Sequence, residues 1–137
     1  MNTKKLSILL AAVVLIAAQL ACAAGEPTFD NVRSSSDSDG AQRTSTFGAS
    51  DTLYVVGDIT NGAVGNQVVS RWYIENAAGF DPNFFMDEII YTVEEDGFTG
   101  IVTFSFEPPA DGWPAATYRV EVYFNGALVS TVNFTVQ

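Results

Sequence analysis

Histidine is absent from the 137 residues, and with it goes every His-based catalytic triad, dyad or zinc site. The single cysteine, Cys22, excludes an intramolecular disulfide and any CxxC metal or redox motif. Charge is also scarce, at 16% of residues against roughly 25% in an ordinary soluble domain. What charge there is has mostly one sign: sixteen acidic residues face six basic ones, for a formal −10. Phosphate recognition needs clustered Lys and Arg, so nucleic acid is not an expected partner. Apolar residues nonetheless make up 47% of the chain. That is enough for one packed domain, and the length does not comfortably hold two.

The N-terminus carries Lys4 and Lys5, then an apolar run from Leu6 to Leu20 broken by Ser7 and Gln19. Small residues follow, Ala21 to Gly25. A basic start, an apolar core shorter than the roughly 20 residues of a spanning helix, and a small-residue exit make residues 1–21 a secretory signal. Cys22 stands where the signal of a bacterial lipoprotein places its lipidated residue, and the segment resembles such a signal. Leu20 and Ala21 fit the two nearer positions, while Gln19 departs from the usual Leu. The resemblance implies lipidation at Cys22 and attachment to the membrane of the cell envelope. The alternative is ordinary cleavage after Ala23 or Ala24 and a soluble secreted protein. Loss of residues 1–21 leaves no lysine and four arginines (Arg33, Arg43, Arg71, Arg119) against all sixteen acids, a formal charge of −12. Such a surface repels anionic lipid, so attachment has to come from the N-terminus.

Residues 22–46 are poor in large apolar side chains, Phe29 and Val32 excepted, and rich in Ser, Asp, Gly and Thr. This composition predicts a flexible tether. Its segment Asp37-Ser38-Asp39-Gly40 resembles part of a calcium loop, but Ser35 would be the first ligand and Thr46 stands where a bidentate Glu belongs. It reads as solvated linker, and no metal or cofactor is expected.

From 47 to 137 apolar residues recur with period two, and turn residues come every 8–12 positions. Strands are expected at Thr52–Thr60, Gln67–Glu75, Glu88–Val93, Gly100–Glu107, and on both sides of Asn125-Gly126. Asn-Gly ordinarily marks a two-residue hairpin turn. That loop would put Val132, Phe134 and Val136 on the face opposite Val120 and Val122. A three-residue turn, Phe124-Asn125-Gly126 with a bulge, restores one shared face and is the reading preferred from register.

Residues 112–136, GWPAATYRVEVYFNGALVSTVNFTV, resemble the closing hairpin of immunoglobulin-like modules in secreted and lipid-anchored bacterial proteins. Trp72 fits the place of that architecture's buried Trp, and Tyr118 resembles its tyrosine corner. Ala116 stands where Gly is usual. The resemblance implies an all-β, immunoglobulin-like antiparallel β-sandwich of about seven strands over 47–137. It implies little about function, because the fold hosts many roles.

The chemistry of the loops points away from catalysis. Glu94-Glu95-Asp96-Gly97 and Asp87-Glu88 are the densest acidic groups; paired carboxylates serve glycoside hydrolysis, but the first group reads as a turn between strands. Ser70, Ser105 and Ser130 lie in strands without a His or Lys base. Trp72, Phe104, Phe106 and Phe134 have inward parity and read as core. Tyr73 and Tyr123 have outward parity, Phe84 and Phe85 lie in a loop-like segment, and Trp113 precedes a strand. These five are the candidate contacts for a protein or glycan partner. A non-catalytic binding or display module of the envelope is the expected function. A secreted protease inhibitor using loops Asn76–Met86 and Pro108–Ala115 is the alternative.

Overall fold

The computed structural model describes residues 25–137. Cys22 and the signal segment 1–21 lie outside them. Eight strands follow one another: β1 (Thr28–Ser35), β2 (Thr46–Phe47), β3 (Leu53–Gly62), β4 (Gln67–Asn76), β5 (Phe84–Thr92), β6 (Phe98–Phe106), β7 (Ala116–Phe124) and β8 (Ala127–Val136). They form two sheets, β1-β3-β6 and β2-β8-β7-β4-β5, antiparallel except for the short β2–β8 pair. The protein is an all-β sandwich of eight strands among the described residues.

Period two explains the core. In β4, Val68, Ser70, Trp72 and Ile74 are buried while the residues between them are not. In β7, Tyr118, Val120 and Val122 do the same. These side chains meet Leu53, Val55 and Ile59 of β3, Val102 and Phe104 of β6, and Phe134 and Val136 of β8. The expected inward residues Trp72, Phe104 and Phe134 are buried, and Phe106 packs against Trp72 edge to face at 4.9 Å. The Trp72 indole N–H donates to Ser70 Oγ at 2.9 Å, which satisfies two buried polar groups together.

The tyrosine-corner geometry is present. Tyr118 lies fully buried, stacked on Phe134 at 5.3 Å, and its hydroxyl donates to the Pro114 carbonyl at 2.7 Å. Ala116 opens β7 without a positive φ, so the missing glycine there leaves no strain. Burial pushes the Tyr118 phenol up to about 12 from 10.0. The folded state therefore holds its proton where the unfolded chain has lost it, and stability is expected to fall as pH rises from about 10 to about 12. Tyr118→Phe should lose about 1 kcal/mol at neutral pH, since the Pro114 carbonyl is left without its donor. It should also reduce the alkaline decline, which urea unfolding at pH 8 and pH 11 would measure.

Three sequence expectations are corrected. Residues 28–46, expected as tether, are part of the sandwich. β1 pairs with β3 from Thr28↔Thr60 to Ser35↔Tyr54, and Phe29 is buried. An edge strand needs only one large apolar anchor, and the polar groups around it find partners. Ser34 Oγ donates to the Thr44 carbonyl, Ser35 Oγ to Asp37 and the Gln42 carbonyl, and the Arg33 guanidinium to the Gly40 and Asn31 carbonyls and Asp58. Asp37, held below the usual carboxylate range chiefly by the Ser35 hydroxyl, closes this turn as an acceptor. Val56 points away from the core, yet it is fully buried. Its cross-strand neighbours Arg33 and Thr103 both donate to carbonyls of the 36–43 loop, which covers that face.

The second correction is the β7–β8 hairpin. Phe124 pairs with Ala127, and Asn125 (φ 49°) and Gly126 (φ 84°) form a two-residue turn with both residues left-handed. The register argument still holds, because Tyr118, Val120 and Val122 face Phe134, Val132 and Ser130. The extra residue sits in β8 at Val129, between Tyr123↔Leu128 and Val122↔Ser130, rather than in the turn. One consequence is that Leu128 is 55% exposed. The third correction is that β5 starts at Phe84, four residues before the expected Glu88, with a bulge at Met86.

Candidate functional site

The outer face of the five-stranded sheet collects most of the residues proposed for ligand contact. Cross-strand register places Tyr73 of β4 between Phe85 of β5 and Arg119 of β7, and Arg71 between Glu88 and Glu121. Val69 lies between Ile90 and Tyr123. The alternation that buries Trp72 turns these side chains outward.

Their contacts form an interlocked layer. The Arg119 guanidinium lies over the Tyr73 ring at 4.3 Å, ion-paired with Glu75 at 3.3 Å and Glu121 at 3.4 Å, and it donates to Asn83 Oδ1 at 2.8 Å. The Arg71 guanidinium lies over the Tyr123 ring at 5.1 Å and pairs with Glu88 at 2.7 Å, which strengthens its hold on its proton. The Tyr123 hydroxyl donates to Glu121 at 2.9 Å, and that bond raises its pKa. Tyr73 meets Phe85 edge to face at 5.6 Å. One face of each tyrosine ring is thus occupied by an arginine, and this leaves less free ring surface for stacking a sugar.

Phe84 and Phe85 are 42% and 50% exposed, and Phe80, in the loop before them, packs edge to face on Phe84 at 5.3 Å. All three are exposed at the end of the sandwich where β4 finishes and β5 begins, Phe85 beside Tyr73 on the outer face and Phe84, opposite Ile74, on the other. Phe80 belongs to the same set of aromatics in the sequence but is not one of the five candidate contacts. Its spacing to Phe84 across Asp81-Pro82-Asn83 was the available signal, with Asn83 at φ 57° turning the chain back.

Trp113 departs from expectation. It is 9% exposed, with its indole N–H on the Asp51 carbonyl at 2.8 Å and its backbone N–H on the Ala49 carbonyl at 2.8 Å. A large apolar ring beside two prolines is drawn into the end of the core rather than offered to a ligand. The loop Pro108–Ala115 is pinned with it.

At the other end, Gly25 lies against Asn61, and Thr28 pairs with Thr60. The chain therefore enters the domain beside the turns 63–66, 93–97 and Asn125-Gly126. Asp96 accepts from the Val64 backbone N–H at 2.9 Å, and Gly97 takes φ 79°. The expected turn is therefore there. Glu94 and Glu95 point to solvent. Among the described residues no three or more Cys, Asp or Glu side chains group as a metal site would require.

No family model matches the sequence, and no curated protein does. Solved structures do resemble it in shape. A Listeria innocua β-glucosidase mutant in complex with laminaribiose matches with TM-score 0.51 and 13% identity, covering 81% of this chain and 16% of the enzyme. The Pseudomonas fluorescens alkylpurine DNA glycosylase AlkC, bound to DNA with an abasic-site analogue, matches with TM-score 0.52 and 7% identity, covering 82% of this chain and 31% of that one. The chain spans under a third of either protein. At such identities these likenesses establish the sandwich fold and nothing of the chemistry.

Proposed function

We propose that the protein is a non-catalytic binding or display module of the cell envelope, held by lipid at Cys22. The observation that carries this reading is the polarity of the domain. The chain enters at Gly25, and the exposed aromatics Phe80, Phe84 and Phe85 lie at the opposite end. Because β1 begins at Thr28, only five residues separate Cys22 from the first strand, a span of at most about 20 Å. An anchored domain would stand close over the bilayer on its 61–66 and 93–97 turns, with those aromatics turned away from the membrane.

The test is the mass of the N-terminal peptide from membrane and soluble fractions. A membrane species beginning at lipid-modified Cys22 is the expected result; a soluble species beginning at Ala24 or Gly25 would remove the anchor. The inhibitor alternative keeps one exposed loop, 77–83, and a protease panel showing no inhibition at micromolar concentration would discard it.

A further inference from the structure

Strand β5 ends the five-stranded sheet and pairs with β4 alone, so its other edge offers N–H and C=O groups that the sheet leaves without partners. From Asp87 to Thr92 its register with β4 is uninterrupted, which makes this stretch a straight template. Beside its end lies a cleft of about 420 Å³ lined by Ile90, Tyr91, Thr92, Glu94, Glu95 and Phe98. The Tyr91 and Phe98 rings stand 6.3 Å apart, and Ile90 is 54% exposed. The cleft therefore has an apolar floor and a rim of two carboxylates.

Among the described residues no cation neutralises that rim. Arg33, Arg71 and Arg119 are paired with Asp58, Glu88, and Glu75 and Glu121, and Arg43 donates to Asn31. A second copy is a poor occupant, because antiparallel pairing of two β5 edges brings the Asp87-Glu88 stretch of each near the other's acids. The chemistry that fits is an extended segment with basic side chains between apolar ones. Its backbone would satisfy the open edge. One Arg or Lys would lay its alkyl stem on Tyr91 and Phe98 and its charged head between Glu94 and Glu95.

We propose that the β5 edge and its acidic cleft receive an extended cationic peptide by strand addition. This deepens the binding reading by naming the partner's chemistry, and it does not depend on the lipid at Cys22. The probe is a short acetylated peptide alternating Arg and Val, added to the purified protein and followed by calorimetry and amide hydrogen exchange. Protection of amides from Asp87 to Thr92 is expected, with affinity weakening as salt is raised. A Glu-for-Arg peptide, or the Glu94→Gln/Glu95→Gln variant with the Arg peptide, should bind at least about tenfold more weakly. Absence of binding, equal binding of both peptides, or concentration-dependent protection of β5 without peptide would overturn the proposal. Protection confined to the Tyr73 and Phe85 face would overturn the edge assignment while leaving the broader binding reading in place.

Discussion

Phe29→Ala is expected to destabilise the domain by about 3–5 kcal/mol and to free β1 from β3. Phe29 is 6% exposed and is the one fully buried large apolar side chain that β1 contributes; Val32 is only partly covered. The tip of its ring abuts Gly57 of β3, so close that a Cβ at Gly57 would stand 2.2 Å from the ring's Cζ. Gly57 pairs with Val102 in the middle of the sheet, where a glycine otherwise weakens a strand. Its value there is the space it leaves. Gly57→Ala should therefore cost about 1–3 kcal/mol through overpacking. In the Phe29→Ala background the added methyl has room, so most of that cost should vanish and the two changes should be strongly non-additive. Urea unfolding of the four proteins measures the coupling, and hydrogen exchange over Thr28–Ser35 reads the release of β1. Additive costs would mean that the ring does not rest on Gly57.

That pair also shows what was legible in the sequence. Strands β3 to β8 announce themselves because each places two or more large apolar residues at period two, and the sheet simply buries that parity. β1 has Phe29 alone among Asp, Asn, Arg and Ser, a composition that resembles linker. Nothing in the segment itself says that a glycine 28 residues on leaves a socket for its ring. A glycine inside TLYVVGDIT was the available sign of a close approach. The hairpin teaches a related point. Parity correctly required one extra residue between β7 and β8, but it did not say where. Asn125-Gly126 is so well suited to a tight two-residue turn that the irregularity moved to Val129. The binding surfaces were half legible. Outward parity located Tyr73 and Tyr123, but it did not show that Arg119 and Arg71 already cover a face of each ring. The β5 cleft was read only as an acidic turn. Its character comes from sheet order, which leaves β5 at an edge beside Phe98, and sheet order is a property of the assembled strands rather than of any one of them.

The indole of Trp113 separates structural aromatics from surface ones most sharply, and Trp113→Ala is expected to cost about 3–5 kcal/mol. The ring packs edge to face near Phe106 and Tyr118, both at 6.5 Å, and so links Trp72 to the tyrosine corner. Its N–H holds the Asp51 carbonyl, and its backbone N–H holds Ala49, so the turn before β3 is fastened to the turn before β7. Truncation would leave a cavity at one end of the core and the Asp51 carbonyl without its indole donor. Trp113→Phe keeps most of the packing and should lose only the indole hydrogen bond, about 1 kcal/mol. Phe85→Ala, at a position 50% exposed, should stay within about 0.5 kcal/mol of the parent. Thermal and urea unfolding of the three variants give the order directly. If Trp113→Ala proved as mild as Phe85→Ala, the ring would belong to the surface, and the loop Pro108–Ala115 would return as a contact element. The expected order instead places ligand contact on the sheet's outer face and the β5 edge, where side chains can be exchanged without loosening the sandwich that presents them.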